Sequence, residues 1–504
     1  MELAQKSPKW ILRDINLDSK NHFLDLWFWP PSFFIKNYLP QLALIFKLRF
    51  INSIMEKKET LSSFSQEKQT IKEIFLKVKR RDFSGNEGLA IKNSLYQIST
   101  STVSKIGSFI FTIIIARLLL PELFGLYALA FGTILFASNF ADLATGQSFV
   151  KLIAAAKTKQ LANSYLFYFV KIRIFLILIT SIVLLASSYF IAHTYYDKPI
   201  FLALLSGPLY IIIISSIGII DAFFYANNNF KIFLYKEIFL QVSRIIFVPL
   251  AILLMLSSSK ETITFFIMLS LTLSNLIVLV FMFLKVKNKI DWKNKKVLPK
   301  RIKIRTNKFL FAMSSMLFSS LFFGYIDMIM LGRYVDASFI GFYRAAFGLL
   351  ASATPLIAFS NVLFPIFNRL KGTRLEKALN KSKNFTIYLS FFSAIFAIIF
   401  APIIVRITLG SSYTDSVILL RVLSVLLVLM PLISLYETYF ISRNKPFLLA
   451  KLLIFSTILN IVLNYTLIKV LIIKSQLAAV IGVCVATIFA RGLYLSFLLF
   501  FRKK

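Results

Sequence analysis

The residues of this chain that could do chemistry lie inside long apolar stretches. Between residues 94 and 118, Gln97, Ser101, Ser104, Lys105, Ser108 and Thr112 recur at i, i+3, i+4 and i+7. On a 3.6-residue helix that spacing draws one polar stripe along an otherwise apolar rod. Lys105 falls near the middle, roughly 16 Å along at 1.5 Å per residue. A charge at that depth faces a bundle interior or a wet cavity. The competing reading makes the serines and threonine small packing sites and lets the lysine snorkel. Lys171, Arg173 and Arg244 are also embedded, deep enough to meet an anionic group. Asp327 is an embedded acid with two readings: an ion pair with Arg344 or Arg333 nearby, or a carboxylate that binds an ion or proton. Asn460 and Asn464, one turn apart, could line a path or bridge helices. Bases, hydroxyls and amides of this kind bind ligands; they do not form a bond-breaking constellation.

Catalytic chemistry has little to stand on. Cys484 is the single cysteine and sits in an apolar run, and His22 and His193 are not spaced as ligands. Neither a Cys/His nucleophile nor a thiolate or imidazole metal site is expected, and no cofactor is implied. The sequence G-x-x-x-x-G-K-[ST], which would cradle a nucleotide phosphate, does not occur.

Composition says what positions these residues. The 504 residues are 58% hydrophobic and 16% charged, with mean hydropathy +0.76. A soluble core cannot be that apolar, so the chain is expected to be an all-α polytopic membrane protein. About twelve spans can be placed, near 94–118, 122–144, 164–190, 199–225, 238–257, 262–284, 309–332, 338–366, 384–408, 416–440, 447–470 and 476–500. The segment 285–308 divides six from six; it holds eleven Lys or Arg and the single acid Asp291. Before the spans lies a basic leader, 1–90. Its aromatic part, 22–54, is broken by Pro30, Pro31 and Pro40 and is either interfacial or precedes a start at Met55.

Net charge is +36. In a soluble protein this would suggest nucleic acid; here it fits lysines and arginines gathered against anionic lipid headgroups, with no nucleic-acid partner. Alternate loops carry the basic residues, among them the whole 285–308 segment and Arg369, Lys371 and Arg374. The opposite loops carry only Arg117, Lys198, Lys260, Arg333, Lys469 and Lys474. The positive-inside rule then puts both termini in the cytoplasm. The opposite loops are also too short to build the extramembrane site of a glycan polymerase or glycosyltransferase.

A repeat organises the whole. Residues 117–132 and 333–348 share R-x7-G-x-Y-x-x-A-F-G at an offset of 216 residues, without a gap. Ser104 maps onto Ser320 and Ser108 onto Gly324. Each copy joins two spans, and six spans per repeat make the halves parallel, related by an axis along the membrane normal. The expected architecture is two six-helix lobes, 91–284 and 309–504, around a central cavity.

Ile115-Ala-Arg117-Leu-Leu-Leu-Pro121-Glu-Leu-Phe124-Gly125-Leu-Tyr127, with Asp327-Met-Ile-Met-Leu-Gly332-Arg333 and Gly341-Phe-Tyr343, resembles the Wzx-like flippases of the multidrug/oligosaccharidyl-lipid/polysaccharide exporter (MOP) superfamily. The resemblance covers roughly 90–504 and departs at Leu120, where the family usually places Gly. It implies movement of a polyprenyl-pyrophosphate-linked glycan between leaflets of the cytoplasmic membrane, without catalysis. Glycosyltransferases and a glycan polymerase would be pathway partners. Lys105, Arg173, Arg244, Lys171, Gln97, Ser101, Ser104 and Ser108 are the substrate-side expectation, with Asp327 and Arg344 as the coupling or ion-pair expectation. A cation-coupled small-molecule exporter of the same superfamily is the alternative; embedded bases outnumber embedded acids, which favours an anionic substrate.

Overall fold

The computed structural model describes residues 85–503, apart from 157, 291–297, 359–362, 364–366, 368–369, 371 and 444, and gives only the backbone of 315–324. The segment 22–54, Met55 and the side chain of Ser320 lie outside the described residues. All the described residues fall within the unit Arg80–Lys504.

Nine helices among the described residues are long and apolar enough to cross a membrane, and the first of them, Lys92–Ile153, is 62 residues long. At helical rise that is about 93 Å, three times the hydrocarbon thickness of a bilayer. The rod therefore folds back. Helix α1 (Gly85–Asp142) breaks at Leu120, whose φ of 57° and ψ of 172° are non-helical, and Pro121 opens the second arm. Proline suits a first helical turn because its missing N–H would be unpaired there anyway.

A short α2 (Thr145–Ala154) leads to α3 (Lys159–Tyr189), which ends in a π-helical turn, Phe190–Tyr196. Thr158 caps α3 by accepting from the Leu161 amide at 3.2 Å, supplying one orphan donor with a partner. Next come α4 (Phe201–Leu205), α5 (Gly207–Ala226), α6 (Lys231–Leu254) and α7 (Lys260–Val286). These complete the first lobe. The second comprises α8 (Lys300–Tyr334), α9 (Ala337–Ile357), α10 (Gly372–Thr408), α11 (Ser416–Leu423), α12 (Leu426–Ser442), α13 (Pro446–Leu471) and α14 (Gln476–Lys503). The described residues are helical throughout their regular structure, in an all-α polytopic fold.

The expected spans correspond to these helices, with three differences in where they begin and end. Helix α10 begins at Gly372, where the span was expected to begin near 384. Helix α8 begins at Lys300, inside the segment read as a polar interruption. Helix α9 ends at Ile357, two residues after Pro355, where the span was expected to run on to 366. Proline removes a helical hydrogen bond and crowds the preceding turn.

The repeat is legible in the packing. A Cβ on Gly125 would collide with the backbone of Ala337 and Gly341, and one on Gly341 with the backbone of Pro121. Pro121 and Ala337 are themselves one repeat apart, so the two arms cross at reciprocal points. The second motif glycine behaves alike: a Cβ on Gly132 would strike Met328, and one on Gly348 would meet the Thr112 methyl at 3.7 Å. Met328 and Thr112 are again one repeat apart. Tyr127 stacks on Phe131 (5.7 Å, 12°) as Tyr343 stacks on Phe347 (5.9 Å, 20°). The glycines recur because two backbones meet there and a side chain would hold them apart. One apolar cluster, including Ile115, Leu129, Ile340 and Leu423, is shared by both lobes.

Candidate functional site

Two polar nodes flank the lobe contact, one in each lobe. In the first lobe the α1 stripe meets α6. Arg244 donates from Nη2 to Ser108 Oγ at 2.8 Å, and its guanidinium lies 4.6 Å from the Phe111 ring centre. Its Nε is buried without a hydrogen-bond partner among the described residues. Helix α6 comes this close because Gly107 leaves room for Gln241, whose Nε2 donates to Glu237 Oε1 at 2.6 Å. Along the stripe, Ser101, Ser104, Lys105, Ser108 and Thr112 are half-buried and Gln97 is exposed. Thr112 lies against Gly348 of the opposite lobe, so that end of the stripe faces the lobe contact.

In the second lobe Asp327 is buried at 8% exposure and surrounded by donors. Its Oδ2 accepts from Thr487 Oγ1 (2.6 Å) and the Tyr343 hydroxyl (3.0 Å), and its Oδ1 from Asn464 Nδ2 (2.7 Å). Asn460 donates to Thr487 at 3.3 Å, while the Asn464 Oδ1 is buried with no partner among the described residues. Four helices, α8, α9, α13 and α14, thus converge on one carboxylate. At the 216-residue offset Asp327 corresponds to Phe111, and Asn460 to Arg244. Each of these charged residues therefore has an uncharged counterpart in the other lobe.

Beside the helix crossing, against the Asp327 node, is a small cavity of about 30 Å³ lined by Ala128, Phe131, Gly132, Asp327, Arg344 and Phe347 among others. It contains one base and one acid from the second lobe and an apolar wall from the first.

Three expectations are corrected. Asp327 forms no ion pair with Arg344 or Arg333 among the described residues; neutral donors occupy its oxygens, and the Arg333 guanidinium stacks 5.1 Å from Tyr195 instead. Arg173 is engaged in the scaffold. It is 4% exposed, paired with Asp142, and donates to Thr145 Oγ1 at 2.5 Å. Its Nη2 fills the space a Cβ on Gly218 would need. It therefore ties α3 to the α1–α2 corner and to α5. Asp142 is the other half of that tie. Lys171 is exposed on the same face of α3 as Ile174, Phe175, Leu178 and Ile182, the face turned to lipid.

Of the substrate-side set, the structure unites Ser108 with Arg244 and leaves Lys105 on the same stripe. Tyr127, Tyr343 and Thr487 were missed by reasoning from charge alone, although both tyrosines stand in the repeat motif. Asn460 and Asn464 both bind within the Asp327 node.

The chain is similar to known proteins at two levels. A family model described as polysaccharide biosynthesis protein matches residues 90–371, more than half of the chain. No curated protein matches it in sequence. Among solved structures it is similar to lipid II flippase MurJ in an inward closed conformation (TM-score 0.65, 16% identity, 81% of this chain and 87% of that one). It is also similar to a multidrug resistance MATE family transporter of the MOP superfamily in an inward-facing conformation (TM-score 0.60, 17% identity, 80% and 97%). These likenesses establish the fold, and the family match establishes membership. The chain is a multi-pass membrane protein of the polysaccharide biosynthesis protein family, a flippase family of the MOP superfamily.

Proposed function

We propose that this transporter moves a polyprenyl-pyrophosphate-linked oligosaccharide across the cytoplasmic membrane, without making or breaking a covalent bond. The observation that carries the reading is the Arg244–Ser108 contact on the stripe that also bears Lys105. A pyrophosphate needs cations in a wet path, and charge-assisted contacts to phosphate are the strongest such groups can make. The glycan needs hydroxyl and amide partners, which Ser101, Ser104 and Gln97 provide. The prenyl tail stays in lipid. The family's biosynthetic role and the lipid II named for the first similar structure support a lipid-linked glycan. The basic loops support a cytoplasmic position for the 285–308 side. Glycosyltransferases would supply the substrate there, and a polymerase would consume it on the other side.

Asp327 is the coupling residue on this reading. One buried carboxylate among hydroxyl and amide groups, with Asn464 Oδ1 unpaired among the described residues, suits a proton or a monovalent cation. The MATE likeness keeps a small-molecule exporter as the second reading. Such an exporter of cationic drugs would want an excess of acids near the lobe contact, where Asp327 stands with Arg344 and Arg244.

The test uses proteoliposomes loaded with a fluorescent polyprenyl-pyrophosphate oligosaccharide. Lectin capture on the opposite face should grow with time under an ion gradient and should not compete with ethidium. Ethidium transport without lipid movement would instead establish the exporter.

A further inference from the structure

The arginine that opens each repeat motif takes no part in either polar node, yet it recurs with the glycines. Its surroundings explain why. Arg117 reaches across to the opposite lobe, donating from Nε to the Thr408 carbonyl at 2.9 Å and from Nη2 to the Ile407 carbonyl. These carbonyls end α10, whose last C=O groups have no helical partner. A helix C-terminus also carries partial negative charge, and a planar guanidinium fork can serve two adjacent acceptors. Beside it, Tyr413 donates its hydroxyl to the Ala116 carbonyl at 2.7 Å. Tyr413 is fully buried, edge-on to Phe124 of the first lobe (6.2 Å) and Phe342 of the second (6.1 Å).

The other copy is built alike from the opposite side. Gly332 and Arg333 are one repeat beyond Ala116 and Arg117. A Cβ on Gly332 would lie 2.6 Å from the Tyr196 ring, and the Arg333 guanidinium stacks on Tyr195 at 5.1 Å. Both tyrosines belong to the π-helical turn that ends α3, the repeat counterpart of the end of α10. So each lobe offers a small residue and an arginine from its first span, and each is covered by tyrosine from the other lobe's third. The halves differ in strength. Arg117 makes two hydrogen bonds and is joined by a buried tyrosine hydrogen bond, whereas Arg333 makes ring contacts alone among the described residues.

We propose that these reciprocal contacts are the latch that closes the hairpin end of the transport path, and that the Arg117–Tyr413 half sets how often that end opens. This rests on the reading that the two lobes rock about a shared path. Separation at this end must break the Arg117 bonds, strip Tyr413 from Ala116 and part Gly125 from Gly341. Opening at the linker end disturbs none of these contacts. The motif's arginine and glycine are thus parts of one device, the glycine allowing contact and the arginine holding it.

The experiment reads accessibility, not transport. Cys484→Ala removes the only native thiol, and Ala128→Cys places a probe in the cavity below the crossing. Membrane-impermeant maleimide is added from the hairpin side of oriented vesicles. Arg117→Ala should raise the labelling rate by about fivefold or more, the effect expected from losing roughly one net hydrogen bond. Tyr413→Phe, which keeps the ring, should raise it less, and Arg117→Lys should return it toward the parent value. Arg333→Ala should have the smaller effect of the two arginine variants. Membrane abundance and monodispersity of each variant are checked first, and Tyr413→Phe carries the test if Arg117→Ala fails to assemble. A labelling rate unchanged by both Arg117→Ala and Tyr413→Phe overturns the latch, whatever the lipid assay shows. An Arg333→Ala effect equal to that of Arg117→Ala overturns the assignment of the principal half. Raised labelling together with failed glycan movement leaves the latch standing and sinks the substrate reading.

Discussion

Lys105, Arg173 and Arg244 look equivalent in the sequence, as bases embedded in apolar runs, and the fold gives them different work. Arg173 is occupied by Asp142 and Thr145, so its loss should cost stability and not transport. Arg173→Ala leaves the pair broken, and because Asp142 keeps part of its hydration the cost should be about 2 kcal/mol, below the full penalty for an orphaned buried charge. Thermal unfolding in detergent should show the loss, while transport per folded molecule stays near that of the parent. Arg244→Ala and Lys105→Ala should do the reverse, holding the unfolding temperature within a few degrees and lowering glycan movement at least tenfold, with Lys substitution at Arg244 restoring part of it. Normal transport in both variants would make the stripe a packing surface. Asp327→Asn keeps the size of the side chain but removes the charge. It should abolish the dependence of transport on the driving gradient while glycan binding persists; retained gradient dependence would move the coupling site elsewhere.

At the level of elements, the hairpin of α1 carries an identifiable strain. Leu120 is 55% exposed and sits at φ 57° and ψ 172°. That region suits glycine, and a side chain there costs of order 1–3 kcal/mol. The family's usual Gly at this position, absent here, has its physical reason in that backbone. Leu120→Gly should therefore raise the unfolding temperature measurably, with no change in transport direction; an unchanged or lower temperature would mean that the turn is relaxed with leucine in place. The second hairpin avoids the problem, because Asp336 stands there at φ −64° and exchanges hydrogen bonds with Gln476 at 2.7 and 2.8 Å. The repeat conserves the crossing of the arms and not the conformation of the turn.

For the whole molecule, the two lobes share a skeleton and divide the charge. Gly125 and Gly341 are the points where one arm bears on the other, so a larger residue at either should prop the hairpin end apart. Gly125→Val and Gly341→Val should both increase labelling of Ala128→Cys from the hairpin side, since each faces backbone that cannot turn aside. Similar effects from the two are expected because their contacts are reciprocal, and a rise in only one would break the pseudo-symmetry. Reporter fusions fix the orientation independently: a fusion after Arg333 should lie outside and one within 285–308 inside.

The sequence by itself determined the class, the repeat and the order of helices. Apolar length, charge placement in loops and the 216-residue self-similarity are local or additive quantities, and they survive without knowledge of any contact. Ser108 and Arg244 as members of one site were also legible, as separate members of a list. Their meeting, 136 residues apart, came from α6 packing against α1 at Gly107. Tertiary structure alone decided which embedded charges are spent on the scaffold. A buried ionic group takes whatever partner the packing brings within reach, and for Arg173 and Asp327 those partners lie on other helices, up to 160 residues away. Helical periodicity predicts which face a residue occupies. It carries no information about what the opposite helix presents to that face, and so the motif could announce that its arginine and glycines matter without saying that they hold two lobes together.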